Sequence, residues 1–372
     1  MDDLAPLDAA VLPAGVRARF VDGVNGLRMH ILEAGFEGPE RPLVVLLHGF
    51  PELAYSWRKV LPALAAAGYH AVAPDQRGYG RTTGWDASYD GDLAAFRPLN
   101  LVRDVMGLVA ALERTSVAAV VGHDFGALPA AWAALLRPDV FRRLALLAVP
   151  FAGPPTLSAK AAAPGRDIRA NLAALPRPRK HYHTYYSTRA ANADMLQAPQ
   201  GLTAFLRAYY HQKSADWAGN KPFPLQGWTA EELAKMPTYY VMDLHRTMAE
   251  TVAPEAPAGD APWLTDAELA VYVSEYARTG FQGGLQWYRC VTGRVMIEEL
   301  EVFSGRAVEV PALFMAGDAD WCVQQSPGAL KRMQERALAR LTGVHMIPGA
   351  GHWVQQEQPE AVNRLLLAFL RS

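Results

Sequence analysis

Three short, unbroken apolar runs, LVVLL at 43–47, VAAVV at 117–121 and LALLAV at 144–149, set the strongest limit on how this chain can fold. A strand wetted on one face alternates apolar and polar residues, whereas a continuous apolar run needs cover on both faces. Between the first two runs, Leu101, Val102, Val105, Met106, Leu108, Val109 and Leu112 recur on a 3.6-residue stripe, with Arg103, Asp104 and Glu113 outside it. That is the pattern of an amphipathic helix. Strand, helix, strand at this spacing predicts a parallel sheet with right-handed crossovers. Two later runs, PALFM at 311–315 and VHMI at 344–347, extend it, and residues 359–370 read as a closing amphipathic helix. From 153 to 190 the chain is rich in Pro, Ala, Arg, Tyr and His, and no buried-strand signal returns before 311. The expected architecture is an α/β core with a mostly parallel sheet over 1–152 and 301–372, interrupted by a mostly helical cap over 153–300.

Lys+Arg number 36 against 37 Asp+Glu, a formal charge of −1 with no basic run. Nucleic acid and anionic membranes need concentrated positive charge, so neither is expected as a partner. Residues 1–15 carry Asp2 and Asp3 where a signal peptide would carry Lys or Arg, and no uncharged apolar run reaches the roughly 18 residues of a membrane span, the nearest, 60–74, being broken by Pro62, Gly68 and His70. Only Cys290 and Cys322 are present, too few for a disulfide framework and wrongly spaced for a zinc site. The expectation is an unanchored, cytoplasmic protein that takes a small, weakly charged ligand.

In open parallel sheets ligands sit at the carboxyl ends of the strands. The sequence VVGHDFGA at 120–127 joins a strand to an apolar helix, with Gly122, Gly126 and Ala127 around Asp124. This spacing fits a nucleophile elbow, a strained turn that only small neighbours permit; an N-cap aspartate on an ordinary loop is the plainer alternative. An aspartate there is already ionised and can displace at a tetrahedral carbon to give an ester. HGFPE at 48–52 follows the first strand, where the Phe50 N–H, with that of Phe125, would form an oxyanion hole. Of ten histidines, His352 stands out in a glycine-rich loop, PGAGHW at 348–353, after the last strand run. Its carboxylate partner should leave the preceding strand, which ends AGDAD: Asp320 is chosen, with Asp318 as runner-up. The order Asp124, Asp320, His352 is nucleophile, acid, histidine.

With these residues in hand, the chain closely resembles the soluble type of epoxide hydrolase of the α/β-hydrolase fold, from about residue 17 onward. The resemblance rests on HGFPE continuing to YSWR at 55–58, DQRGYG at 75–80, GHDFG at 122–126, GHW at 351–353, and WLTD at 263–266 through GFQGGLQWYR at 280–289. It implies two epoxide-binding tyrosines in the cap, mapped onto Tyr288 and, with Tyr185 and Tyr186 as near competitors, onto Tyr182. Opening an epoxide puts negative charge on the ring oxygen, and a phenol with a pKa near 10 is a neutral donor suited to meet it. The implied reaction is epoxide plus water to a vicinal diol through an Asp124 ester, hydrolysed by water that His352 activates, on a small lipophilic substrate and with no metal, flavin or nucleotide cofactor. Related haloalkane dehalogenases place a tryptophan N–H after the nucleophile to hold halide; Phe125 has no side-chain donor, which weighs against that alternative and likewise against a haloacid dehalogenase. A catalytically silent ligand-binding protein on the same scaffold is the rival of another class. Oligomeric state is not readable from the sequence.

Overall fold

A computed structural model describes residues 4–38, 40–157, 167–257, 259 and 261–372; residues 158–166 of the expected cap lie outside them. The strands are β1 (Val16–Val24), β2 (Leu27–Ala34), β3 (Leu43–Leu47), β4 (His70–Pro74), β5 (Ala119–His123), β6 (Leu144–Leu147), β7 (Arg179–His181), β8 (Val241–Asp243), β9 (Val308–Gly317) and β10 (Leu338–Ile347). Eight form one sheet in the order β1-β2-β4-β3-β5-β6-β9-β10. The β1–β2 and β2–β4 pairs are antiparallel and the remaining pairs parallel. The central strands β3, β5 and β6 are buried along their whole length, which is why they read as continuous apolar runs.

Two differences from the sequence reading have physical causes. The connection from β3 to β5 holds more than a helix: β4 intervenes and pairs on the other side of β3. It is only five residues long, and its first, His70, is buried against the Glu33 carboxylate of β2 at 2.8 Å. Among the described residues of 153–300 the regular elements are helices, apart from the antiparallel ribbon β7–β8, whose three-residue strands are too short for a period-2 signal. The helix Ile297–Glu301 runs across the expected boundary at 300/301.

Register places the site. Leu47 pairs with Gly122, His123 with Leu147, and Leu147 with Met315, so the loops carrying His48, Asp124 and Asp320 leave the same edge of the sheet. Ile347 pairs with Gly317, which brings the loop of His352 there too. The helices following β8 close over this edge. Gly283 of the helix Gln282–Thr292 meets Gly78 so closely that a Cβ on Gly283 would lie 1.9 Å from the Gly78 carbonyl oxygen. One residue earlier, the Arg77 carbonyl accepts the Trp287 indole N–H at 2.9 Å. DQRGYG and GFQGGLQWYR are thus two halves of one docking contact. An Arg58–Glu268 ion pair at 2.7 Å and a Ser56–Tyr272 hydroxyl pair at 2.8 Å lock the same layers together. Among the described residues no helix is long and apolar enough to cross a membrane.

Candidate active site

The turn after β5 holds Asp124 at φ 50°, in the left-handed region where a non-glycine residue is strained. Its neighbours must be small. A Cβ on Gly122 would fall 2.3 Å from the Gly126 carbonyl oxygen, one on Gly126 would fall 2.3 Å from that of Leu47, and one on Gly49 would overlap the Asp124 side chain. The strain aims Asp124 at the loops that end β3 and β10. The Phe50 N–H donates to Asp124 Oδ1 at 3.0 Å. Asp124 Oδ2 lies 3.3 Å from His352 Nε2, an approach without hydrogen-bond geometry. His352 Nδ1 faces both Asp320 oxygens, at 3.1 and 3.2 Å, and the Cys322 N–H donates to Asp320 Oδ1 at 2.8 Å. Asp320 is ionisable and acceptor-only when charged, so the imidazole proton belongs on Nδ1. Burial would raise the Asp124 carboxyl, but His352, then Lys213 and His123, hold it well below the usual carboxylate range.

Of the predicted residues, Asp124, Asp320, His352 and Phe50 come together directly. Asp318 points away; it is exposed, and its Oδ1 accepts the Gly349 N–H at 3.1 Å. Phe125 opens the turn after Asp124 and stacks its ring against Tyr288 at 4.4 Å, edge to face. Only the Phe50 N–H, of the two predicted donors, is hydrogen-bonded to Asp124. Among the three tyrosines that competed for one position, Tyr182 lines the cavity over Asp124, with its hydroxyl donating to Gln325 Oε1 at 3.0 Å. Tyr185 donates to Asp194, and Tyr186 to the Tyr209 hydroxyl. The Tyr182 and Tyr288 rings stand 5.8 Å apart, and burial pushes both phenols well above their ordinary pKa, so both stay protonated. The cavity holds about 400 Å³ and runs from Asp124 and Phe125 past Tyr182 to apolar walls of Leu128, Phe151 and Val295.

Four features escaped the sequence reading. Glu52, quoted there only within HGFPE, bonds His123 Nδ1 at 2.5 Å, while His123 Nε2 donates to the His352 carbonyl at 2.8 Å. Burial opposes charge on both, yet their mutual attraction wins, lowering Glu52 and raising His123, so the pair is ionic. Glu357 accepts from the backbone N–H groups of Ala215, Gly351 and Trp353 at 2.8, 2.8 and 2.9 Å and clamps the His352 loop. His183 lines the cavity beside Phe125 and Tyr288 and is kept neutral by burial. Lys213 is buried beside the triad. Glu52 and Lys213 carry no local signal because the partners that define them, His123 and the His352 loop, lie far along the chain, whereas Glu357 binds largely within its own loop. Asp124, Cys322 and His352 also bring an oxygen, a sulfur and a nitrogen within 4.8 Å of one another, a donor set suited to a soft divalent cation. Burial, then the Asp320 charge, pushes the Cys322 thiol well above its ordinary value, so its sulfur is protonated in this state.

A mostly parallel sheet whose strand ends carry an aspartate on a strained turn, a second aspartate and a histidine, in that order along the chain, is the arrangement of an α/β-hydrolase. The sequence matches the α/β-hydrolase fold family over residues 42–359, and the chain belongs to it. It is 35% identical over 357 residues to epoxide hydrolase A of Mycobacterium tuberculosis, covering 95% of this chain and 96% of that one. The crystal structure of epoxide hydrolase A from Mycobacterium thermoresistibile superposes with a TM-score of 0.74 at 34% identity, over 96% of this chain and 98% of that one. Epoxide hydrolase I of potato (Solanum tuberosum) superposes at 0.73 and 29% identity, over 96% and 99%. Within the α/β-hydrolase fold, the chain is a member of the epoxide hydrolases.

Proposed function

We propose that this epoxide hydrolase works through a covalent ester on Asp124. One observation carries the reading: the residue on the elbow is an ionised carboxylate, backed by a His352–Asp320 pair and faced by two protonated phenols. Asp124 Oδ2 attacks an epoxide carbon and the ring C–O bond breaks. Tyr182 and Tyr288 hold the departing oxygen and supply its proton, Tyr182 exchanging its Gln325 contact for the substrate. The product is a β-hydroxyalkyl ester. A water beside His352 Nε2 then gives up a proton to the imidazole and adds to the ester carbonyl carbon. The oxyanion is held by the Phe50 and Phe125 N–H groups, each donor contributing about 3 kcal/mol. Collapse breaks the ester C–O bond, the diol oxygen takes the proton back from His352, and the remaining proton of the added water passes from the Asp124 carboxyl to the tyrosinate, restoring the carboxylate and both phenols.

Residues 153–300 serve in this reading as a cap on the core of 1–152 and 301–372. The cap delivers both phenols, while the apolar cavity selects small lipophilic epoxides. The buried free thiols of Cys290 and Cys322 suit a reducing compartment such as the cytoplasm.

The test is His352→Gln mixed with a slight excess of styrene oxide. Intact-protein mass spectrometry should show about one equivalent of adduct, peptide mapping should place it on Asp124, and diol should form far more slowly than in the wild type. Diol formation at the wild-type rate with no adduct would end the proposal.

A further inference from the structure

Lys213 ends the helix Leu202–Lys213 and is 3% exposed. Its carbonyl accepts the His352 N–H at 2.9 Å, so its backbone is tied to the catalytic loop. Its ammonium sits in an aromatic cage, 5.0 Å from the Tyr240 ring centroid, 5.4 Å from Trp353 and 5.5 Å from Tyr209. Among the described residues no carboxylate oxygen lies within 4.0 Å of it. An ammonium taken out of water without a touching counter-ion is costly and ordinarily loses its proton. Here burial does push toward the neutral amine, but Tyr209 and the Asp124 and Asp320 carboxylates around it turn the balance and keep it charged. The cage contributes through the ring faces, and the carbonyl end of the helix favours a cation. Two of the cage rings also touch the site: Trp353 packs on His352 at 4.6 Å and Tyr240 on Tyr182 at 5.1 Å.

The Asp124 side chain changes charge during the reaction. It is −1 at rest, neutral as the ester, and negative again in the tetrahedral oxyanion and the regenerated carboxylate. A cation buried beside the His352 loop and acting on the Asp124 charge therefore opposes the first half-reaction and assists the second. Resting on the ester mechanism above, we propose that Lys213 is a positioning residue whose buried charge speeds hydrolysis of the Asp124 ester by stabilising the negative charge that returns there. It touches neither substrate nor reacting atoms. The bonds made and broken are those already given: water oxygen to the Asp124 carbonyl carbon, ester C–O cleaved, proton carried by His352. Only the field acting on them is new.

The experiment uses full-length Lys213→Met, near the lysine in length and shape, with Lys213→Gln as a polar neutral second variant and Lys213→Arg as the charge-retaining one. Single-turnover rapid quench with styrene oxide, read by intact mass, separates ester formation from ester decay. Either neutral variant should lower the decay constant on the order of tenfold, as a unit charge acting through a protein interior implies. Ester formation should stay within about threefold of wild type, so the ester fraction at steady state rises; Lys213→Arg should recover the decay. Unchanged decay in a folded neutral variant, or both steps falling together in all three variants, overturns the inference. If His352→Gln traps ester while Lys213→Met turns over normally, only the lysine inference fails. If His352→Gln traps none, the mechanism itself has failed.

Discussion

Removing the Glu52 carboxylate tests whether the layer behind the triad is ionic. His123 and Glu52 are fully buried, 2.5 Å apart, and both imidazole nitrogens face acceptors, Glu52 Oε2 and the His352 carbonyl. Only an imidazolium donates to both. Glu52 Oε1 also receives the Gln355 and Gln356 side-chain amides at 2.9 and 2.8 Å. Glu52→Gln keeps every bond if His123 turns neutral: the new amide donates to Nδ1, and its oxygen keeps the two glutamines. The loss is then the difference between charged and neutral hydrogen bonds, about 1–2 kcal/mol. Glu52→Ala instead strands a ring nitrogen and two amides and should cost about 3–5 kcal/mol, the range for breaking a buried pair. With an unfolding entropy near 2.1 cal/mol/K per residue over this length, those losses lower Tm by about 2 and about 5 °C. The pH dependence carries the sign. Glu52 is depressed, so its contribution is present above its unfolded value near 4.5 and lost as the solution is acidified. His123 is raised, so its contribution is complete below its unfolded value near 6.5 and is lost as pH climbs through its folded value. The wild type should therefore exceed Glu52→Gln most between about pH 4.5 and 6.5, and the gap should close on the alkaline side. Urea unfolding midpoints across pH 5 to 9.5 measure it. A gap that stays constant over that range would show that no charge resides on the pair and refute the reasoning.

Two further substitutions probe how the site is held. Gly283→Ala puts a methyl group 1.9 Å from the Gly78 carbonyl oxygen and must lift the helix that carries Tyr288; overpacking of about 1–3 kcal/mol and a displaced phenol should together cut kcat/KM on the order of 100-fold, with the loss on ester formation in single turnover. Asp318 and Asp320 separate cleanly by exchange to asparagine: Asp318→Asn keeps an acceptor for the Gly349 N–H and should leave turnover within about threefold, whereas Asp320→Asn removes the charge that holds the His352 tautomer and should lower kcat by roughly 10³–10⁴. Steady-state kinetics on the two variants decide it, and equal losses would show that Asp320 has no special part.

What could be read from the sequence was whatever local sterics or two-sided burial imposes on neighbouring residues. The elbow was legible because Asp124 at positive φ forces Gly122 and Gly126 to lack side chains, and the central strands because both their faces are covered. β1 and β2 left no such trace: arginines at 17 and 19 reach across to Glu33, so charged residues sit in the strands themselves and break the pattern. The same distinction runs through the site. Asp124, Asp320 and His352 each end a strand in a loop with its own signature, but Glu52, Lys213 and Gln325 acquire their roles from partners 71, about 140 and 143 positions away along the chain. No spacing rule connects such pairs. Asp318 and Asp320 show the boundary most sharply. Two residues apart and chemically identical, they are told apart only by the turn after β9, which carries one outward to the Gly349 N–H and the other inward to His352. Sequence thus locates Asp124 and His352, the proposed nucleophile and base, through the strain and the loops that present them, while the charges around them follow from the packing of helix Leu202–Lys213 and the loop after β3.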